Sequence, residues 1–184
     1  MKPTEDNRIN SGEVQLIIER VRQIPDYPQP GVIFKDITPV LADGAAFAAL
    51  INQLAAVAVD TIDVVVGIEA RGFILGAPVA RALNAGFVPV RKAGKLPHET
   101  IAQAYDLEYG SATIEIHSDA VRAGDRVLVV DDVLATGGTA RATCQLLEKL
   151  GATVVTVAMM LEIYALAGRK QLADYDLVSL IIDD

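Results

Sequence analysis

Apolar residues along this chain alternate between helical spacing and short buried runs. Residues 47, 50, 51, 54 and 57 are apolar and fall on one helical face. Further helices are predicted over Gly72–Asn84 and Thr139–Leu150. Four short apolar runs have the composition of buried strands: Val64–Val66, Phe87–Val90, Val127–Asp131 and Val154–Met160. Strands that alternate with helices predict βαβ units, so we expect one α/β domain with a central, mostly parallel, twisted sheet flanked by helices.

The amino-terminal part carries helix signals of its own. Asn10 and Glu13 have the spacing of a capping box, which predicts a helix over Glu13–Gln23. Asp43 is suited to cap the next helix. We expect residues 1–12 to be flexible.

A hairpin is predicted after the strand that ends at Val90. Asp106–Tyr109 and Thr113–His117 flank a Gly-Ser turn, and Ile114 and Ile116 alternate with Glu115. This alternation predicts that Glu115 faces away from the two isoleucines.

Composition limits the possible functions. A chain of 184 residues with 52% hydrophobic content is expected to form one domain with a sizeable core. Its net charge of −8 argues against non-specific attraction to nucleic acid or to an anionic membrane. The single cysteine, Cys144, cannot form an intrachain disulfide, and the amino terminus lacks an apolar signal core. We expect a cytoplasmic protein.

The loop after the Val127–Val130 run has the chemistry of a sugar-phosphate site. Asp131 and Asp132 are expected at the carboxyl end of a central strand, where open α/β sheets bind ligands. Their carboxylates are suited to accept hydrogen bonds from ribose hydroxyls. The small residues that follow leave the backbone N–H groups open to a phosphate at the start of a helix: Ala135, Thr136, Gly137, Gly138 and Thr139. The lysine of a P-loop and the spacing of a dinucleotide-binding loop are both absent here.

A second anion site is predicted at the end of the neighbouring strand. Glu69, Ala70 and Arg71 lie in a short turn between Gly67 and Gly72. Taken alone, Glu69 and Arg71 are equally well explained as a surface ion pair. Beside a ribose-phosphate site, the turn is well placed to bind pyrophosphate.

A basic cluster follows the strand at Val90. Arg91, Lys92 and Lys95 surround Gly94 in an otherwise acidic chain. The residues beyond, Ala93–Tyr105, lack strong periodicity, and long irregular segments in compact domains are commonly functional. We therefore expect a mobile lid over about residues 92–110 that excludes water from a reactive intermediate.

An apolar and aromatic triplet lies outside the strand-helix pattern. Val32, Ile33 and Phe34 follow two prolines and a glycine, which stiffen the approach to them. Phe34 alone is more often a core residue. Next to a ribose-phosphate site, it favours a flat slot for a nucleobase within a small hood over about residues 24–41, because aromatic rings stack on bases.

These segments together resemble the type I phosphoribosyltransferases. The stretch VLVVDDVLATGGT resembles the signature of that family, and EARGFILGAPVA and PGVIFKDITPVL match in order and spacing. The segments VPVRKAGKLPHET and YDLEYG point to the adenine branch. The resemblance runs from about Ile24 to Glu162 and implies the joining of adenine to phosphoribosyl pyrophosphate, with Mg²⁺, in a homodimer.

The resemblance also implies roles for individual residues. Phe34 and Val133 would enclose the purine, and backbone groups of Ile33 and Lys35 would bind its edge. The family commonly has arginine in place of Lys35 and leucine in place of Val133. The resemblance implies that Arg71 and the turn before it bind pyrophosphate, together with Arg91, Lys92 and Lys95, some of which can come from a neighbouring subunit. It implies that Asp131 and Asp132 bind the ribose. Residues 135–139 would bind the 5-phosphate.

Catalysis is assigned to residues near the lid and near the turn of residues 67–72, which we name the pyrophosphate turn after its predicted role. Glu108 is the candidate to accept or share a purine proton, Tyr109 a lid-closing contact, and Arg71 a stabiliser of the leaving group. Magnesium would be held mainly by substrate oxygens and water. The resemblance further predicts a cis peptide bond between Glu69 and Ala70.

Two other functions stay open from the sequence. A hypoxanthine-guanine or other nucleobase phosphoribosyltransferase would share the phosphate sites but need a different base slot. A non-catalytic regulator that senses phosphoribosyl pyrophosphate would need a nucleic-acid surface, and no basic helix is visible in so acidic a chain.

Overall fold

The computed structural model describes residues 1–106 and 111–184. Five α-helices lie in these ranges: α1 (Ser11–Ile18), α2 (Thr38–Ala42), α3 (Gly44–Ala56), α4 (Arg71–Leu83) and α5 (Gly138–Lys149). The strands in the same ranges are β1 (Lys2–Pro3), β2 (Arg22–Pro25), β3 (Ile33–Asp36), β4 (Val64–Ile68), β5 (Gly86–Lys92), β6 (Thr100–Asp106), β7 (Ser111–His117), β8 (Arg126–Leu134), β9 (Thr153–Ile163) and β10 (Leu177–Asp183). Two 3-10 turns follow β9, over Tyr164–Leu166 and Gly168–Leu172.

Eight strands form one sheet in the order β1-β10-β9-β8-β4-β5-β7-β6. The neighbours from β10 to β5 in this order are parallel, whereas β1, β7 and β6 pair antiparallel at the two edges. The prediction of a single α/β domain with a mostly parallel sheet is therefore confirmed. The parallel arrangement brings the carboxyl ends of β4, β5 and β8 to one edge.

The central strand β8 is buried on both faces. Leu128 and Val130 pack in one apolar layer with residues of α1, α3 and α4, and Val127 and Val129 pack in a second layer with α5. All four side chains are fully buried. Burial on both faces explains why the run is apolar throughout instead of alternating.

The first helix is shorter than predicted. α1 ends at Ile18 because residues 22–25 form β2, which pairs antiparallel with β3 and places Ile24 opposite Phe34. Asn10 caps α1 as predicted, accepting the N–H groups of Gly12 and Glu13. The reciprocal part of a capping box is replaced by Gln53 of α3, whose Oε1 accepts the Asn10 N–H at 2.7 Å.

Helix α3 follows the prediction closely. The Asp43 carboxylate accepts the N–H groups of Ala45 and Ala46 at 3.0 and 3.1 Å, and α3 begins at the next residue. A cap of this kind contributes about 1 kcal/mol to stability. Leu50, Ile51 and Leu54 are buried on the predicted face.

Two edge regions differ from the sequence predictions. Residues 2 and 3 form β1 on the edge of β10, a strand that the sequence pattern does not indicate. The prediction of an irregular segment over Ala93–Tyr105 is wrong from Thr100 onward. There β6 pairs with β7 along its whole length, and this pairing satisfies the backbone hydrogen bonds of β6. The predicted strand Asp106–Tyr109 lies outside the described residues beyond Asp106.

Candidate active site

The carboxylate pair lies where β4 ends and β8 continues. β8 runs past its predicted end to Leu134, pairing with β9, while its pairing with β4 stops at Val130. α4 begins beside this step. A Cβ atom on Gly72 would lie 2.9 Å from Asp131 Oδ1, so a glycine is needed for α4 to start this close to the carboxylate. The two loops predicted separately from the sequence thus meet at Asp131.

Burial dominates the electrostatics of this pair. Burial raises the pKa of Asp131, and the neighbouring Asp132 charge raises it further. Burial also raises the pKa of Asp132, although the Arg71 guanidinium opposes the rise. Arg71 Nε lies 2.6 Å from Asp132 Oδ2, as an ion pair without the alignment of a hydrogen bond. Two buried carboxylates that share one cation would be stabilised by hydrogen bonds from the hydroxyl groups of a ligand.

Arg71 also connects the carboxylates to the hood formed by β2 and β3. Its Cζ atom lies 5.7 Å from the centre of the Phe34 ring, within the range of a cation-π contact. Tyr27 packs edge-on against the same ring, with centroids 5.3 Å apart. The structure therefore brings the predicted base platform next to the predicted pyrophosphate residue.

The other two hood residues differ in exposure. Ile33 is 53% exposed, whereas Lys35 is buried. Lys35 Nζ lies 3.0 Å from Asp183 Oδ2 and donates to Gln23 Oε1 at 3.2 Å. The Lys35 side chain is thus engaged by β10 and β2, and its backbone lies in the ladder opposite Gln23.

Glu69 contacts the basic segment, which we define as residues 91–96. Its Oε2 accepts the Lys92 N–H at 2.9 Å, and its Oε1 accepts from Lys95 Nζ at 2.8 Å. Arg91 Nε lies 3.5 Å from the same carboxylate. Burial opposes ionisation, but these donors hold the pKa of Glu69 below its usual value. The three predicted basic residues thus lie at the pyrophosphate turn of their own chain.

The phosphate loop, residues 135–139, leads into α5. Gly137 precedes the helix with φ of 86°, and α5 begins at Gly138, one residue before the predicted start. Glycine has no side chain to cap the first N–H groups, so they are open to an anion.

The 3-10 turn over Gly168–Leu172 packs against this loop from behind. A Cβ atom on Gly168 would collide with the Ala135 carbonyl oxygen, and one on Gly137 would lie 2.5 Å from the Gly168 carbonyl oxygen. Arg141 Nη1 donates to the Gln171 carbonyl oxygen at 2.6 Å and joins α5 to the turn. No local pattern in the sequence indicates this support, because it comes from residues 30 positions away.

A cavity of ≈ 320 Å³ unites most of these groups. It is lined by Ile68, Glu69, Arg71, Lys92, Tyr105, Ile114, Asp131, Asp132, Val133, Ala135 and Thr139. Ile68, Tyr105 and Ile114 are additions to the predicted set. Tyr105 and Ile114 come from the hairpin of β6 and β7, whose first strand begins earlier than the sequence predicts.

A larger cavity of ≈ 650 Å³ lies at the other edge of the sheet, beside β1 and β10. The cations that line it are already paired, Lys2 with Asp184 and Arg169 with Glu162, each at 2.6 Å. The 320 Å³ cavity, where cations and carboxylates meet two glycine-rich loops, is the better candidate for an active site.

Comparison with known proteins decides the family. Residues 36–184 match the phosphoribosyl transferase domain. The chain is 58% identical over 172 residues to the adenine phosphoribosyltransferase of Thermobifida fusca, covering 92% of this chain and 98% of the relative. This chain belongs to the adenine phosphoribosyltransferase family.

Solved structures of adenine phosphoribosyltransferases share its fold. The enzyme from Thermoanaerobacter pseudethanolicus is 50% identical, with a TM-score of 0.89 over 92% of this chain and 99% of the other. The enzyme from Saccharomyces cerevisiae, solved with adenine and an imino-altritol bisphosphate, is 38% identical, with a TM-score of 0.88 over 93% of this chain and 99% of the other.

Several predictions for this adenine phosphoribosyltransferase depend on particular residues. The peptide bond between Glu69 and Ala70 is cis, as predicted. Cys144 is buried in α5, and this burial raises the pKa of its thiol to about 12. The catalytic candidates Glu108 and Tyr109 lie outside the described residues. Within those residues, no helix is long and apolar enough to cross a membrane.

Proposed function

We propose that this adenine phosphoribosyltransferase transfers the phosphoribosyl group to adenine, giving AMP and pyrophosphate, in the 320 Å³ cavity. The observation that carries the proposal is the meeting of three subsites around Arg71: the Asp131–Asp132 pair, the pyrophosphate turn and the Phe34 ring. Ribose, pyrophosphate and purine each have a chemically suitable subsite there.

The reaction would form a bond between a ring nitrogen of adenine and C1 of the ribose as the bond from C1 to pyrophosphate breaks. Asp131 and Asp132 would accept hydrogen bonds from the ribose hydroxyls, and residues 135–139 would hold the 5-phosphate. Arg71, Lys92 and the amides of the Glu69 turn would take up the charge of the leaving pyrophosphate. Glu108 would accept or share the purine proton.

Magnesium fits this arrangement when substrate supplies most of its ligands. Among residues 1–106 and 111–184, no three His, Cys, Asp or Glu side chains are grouped to hold a metal ion. The carboxylates of Asp131 and Asp132 line the cavity, and Mg²⁺ is commonly bound through one or two carboxylates plus substrate oxygens and water. When bound, the ion would neutralise charge on the pyrophosphate. Calorimetry of phosphoribosyl pyrophosphate binding with and without Mg²⁺ tests this, and equal affinity would contradict it.

Base preference is tested by turnover. Pyrophosphate release from phosphoribosyl pyrophosphate is expected with adenine and to be at least about tenfold slower with hypoxanthine or guanine, because a site built for one set of base-edge groups leaves them unpaired with another. The relatives named above support adenine. Faster release with hypoxanthine or guanine would assign the chain to the other purine branch, and no release with any base would favour a binding-only role.

Replacement of Asp131 by asparagine is expected to lower kcat/KM by about tenfold or more, since a hydrogen bond to a charged acceptor contributes about 1.5–3 kcal/mol.

The same change, Asp131→Asn, is expected to raise the melting temperature at pH 8. A carboxyl whose folded pKa is raised destabilises the fold above its unfolded pKa, near 3.9, and asparagine removes that cost. The gain in melting temperature should shrink as the pH falls toward 4.

The matched control is Asp63→Asn. Asp63 accepts a backbone N–H, from Arg126 at 2.9 Å, and is exposed at the amino end of β4. The Asp63→Asn variant should therefore keep wild-type kinetics and should not show the rise in melting temperature. Wild-type kinetics for Asp131→Asn would refute the ribose assignment.

We further propose a cytoplasmic homodimer. The resemblance supports the dimer, and the single, buried, unpaired cysteine supports the cytoplasm. Size-exclusion chromatography with light scattering measures the mass of the protein in solution and so tests the dimer. A monomer mass at assay concentrations would contradict it.

A further inference from the structure

Glu115 is a buried carboxylate that the proposed reaction does not use. It lies in β7 between Ile114 and Ile116, and only 6% of the residue is exposed. The alternation of β7 places Glu115 on the face opposite these two isoleucines, and the structure covers that face as well. Because a buried carboxylate is costly unless it is hydrogen-bonded, its partners show what its burial achieves.

The partners of Glu115 belong to the basic segment and the strand beyond it. Its Oε1 accepts the backbone N–H groups of Lys95 and Leu96 at 2.9 and 3.0 Å. Thr100 Oγ1 donates to Oε2 at 3.4 Å. Burial raises the pKa of Glu115, but the N–H groups of this turn outweigh it and hold the pKa below its usual value. Glu115 is therefore ionised at neutral pH, and the turn surrounds it as it would an anion.

Other contacts fix the beginning of the same segment. The Lys92 N–H donates to Glu69 at 2.9 Å, and the Ala93 N–H donates to the Thr113 carbonyl oxygen at 3.0 Å. Gly94, with φ of 83°, makes the turn. Backbone groups from residue 92 to residue 96 are thus held by β7 and the pyrophosphate turn.

Two side chains of this segment lie in or beside the active-site cavity. Lys92 lines the cavity, and Arg91 Nε lies 3.5 Å from Glu69, which also lines it. Arg91 lies opposite Glu115 in the pairing of β5 with β7. Arg91 Nη1 donates to the Lys95 carbonyl oxygen at 3.0 Å, so the position of the arginine depends on the turn that Glu115 holds.

We propose that Glu115 is a positioning residue for pyrophosphate recognition, holding the basic segment so that Arg91 and Lys92 meet the leaving group. This inference rests on the proposed function. Glu115 acts through the segment and does not itself touch substrate. Its loss should therefore weaken the use of phosphoribosyl pyrophosphate and spare the use of adenine.

Three variants separate positioning from charge. Glu115→Ala is expected to raise the KM for phosphoribosyl pyrophosphate about tenfold or more, with the KM for adenine unchanged. Glu115→Asp keeps the charge but withdraws the oxygens by one methylene, so it should behave like alanine. Glu115→Gln keeps an acceptor for both N–H groups and should stay within about threefold of wild type.

The control removes a similar contact elsewhere. Asp63→Ala deletes a carboxylate that accepts the Arg126 N–H at 2.9 Å at the opposite end of β4. It should leave the KM for phosphoribosyl pyrophosphate unchanged. Thermal unfolding of each variant establishes whether it is folded. If the Glu115→Ala protein is not folded, the Glu115→Asp variant decides whether Glu115 positions the basic segment.

Direct binding keeps this inference distinct from the proposed function. Titration calorimetry with phosphoribosyl pyrophosphate should show the same order of affinities without any base present. A wild-type protein that binds this substrate but uses no base would refute the proposed function alone. Folded Glu115→Ala and Glu115→Asp proteins with wild-type affinity, or a glutamine variant as defective as alanine, would overturn the positioning role.

Discussion

Replacement of Arg71 by glutamine is expected to lower kcat/KM for phosphoribosyl pyrophosphate by about 10²- to 10³-fold, the usual cost of removing one donor to a developing anion. The guanidinium lies 2.6 Å from Asp132 and 5.7 Å from the centre of the Phe34 ring, where the three proposed subsites meet. The substitution removes positive charge from the leaving-group site and leaves the buried Asp132 without its cation. Pyrophosphate release at steady state measures the effect.

Arg81→Gln is the matched control for Arg71→Gln. Arg81 lies in the last turn of the same helix, α4, and is exposed. The two variants make the same chemical change and the same change in net charge, so a loss confined to Arg71 locates the effect at the cavity. Equal kinetics in the two variants would contradict the assignment.

Replacement of Glu108 by glutamine is expected to lower kcat by about 100-fold, with smaller changes in substrate binding, because an amide cannot accept the purine proton. Glu108 follows β6, a strand that contributes Tyr105 to the cavity lining. A rapid-quench measurement of AMP formation in a single turnover reports the chemical step directly.

Glu99→Gln is the control for this proton-transfer prediction. Glu99 is an exposed carboxylate just before β6, and its neutralisation should leave kcat unchanged. A Glu108→Gln variant that loses affinity but keeps its single-turnover rate would make Glu108 a binding residue instead of an acid-base group.

The sequence predicts two phosphate-binding loops because the chemistry of each is local in the sequence. In each, an apolar strand, a glycine-bearing turn and a helix start lie within about fifteen consecutive residues. The charged side chains that line the cavity from these loops are therefore among those that the sequence predicts: Glu69, Arg71, Asp131 and Asp132.

Helix boundaries that depend on distant segments could not be predicted in the same way. The helix α1 was predicted to reach Gln23 because the sequence carries no stop before Pro25. The structure ends it at Ile18, since the residues that follow pair with β3. The partner strand lies about ten residues away, and only pairing with it decides between helix and strand.

Short-range spacing in the sequence is enough to indicate the α/β class, the mostly parallel sheet and the family, and it also predicts the two anion loops. The tertiary structure decided which groups meet: Arg71 with Phe34 and Asp132, and the 3-10 turn at Gly168 with the phosphate loop. It also decided that Glu115 is buried on the face of β7 opposite Ile114 and Ile116. The physical reason is that a carboxylate is stable inside a protein where distant N–H groups surround it, and folding alone brings those donors to it.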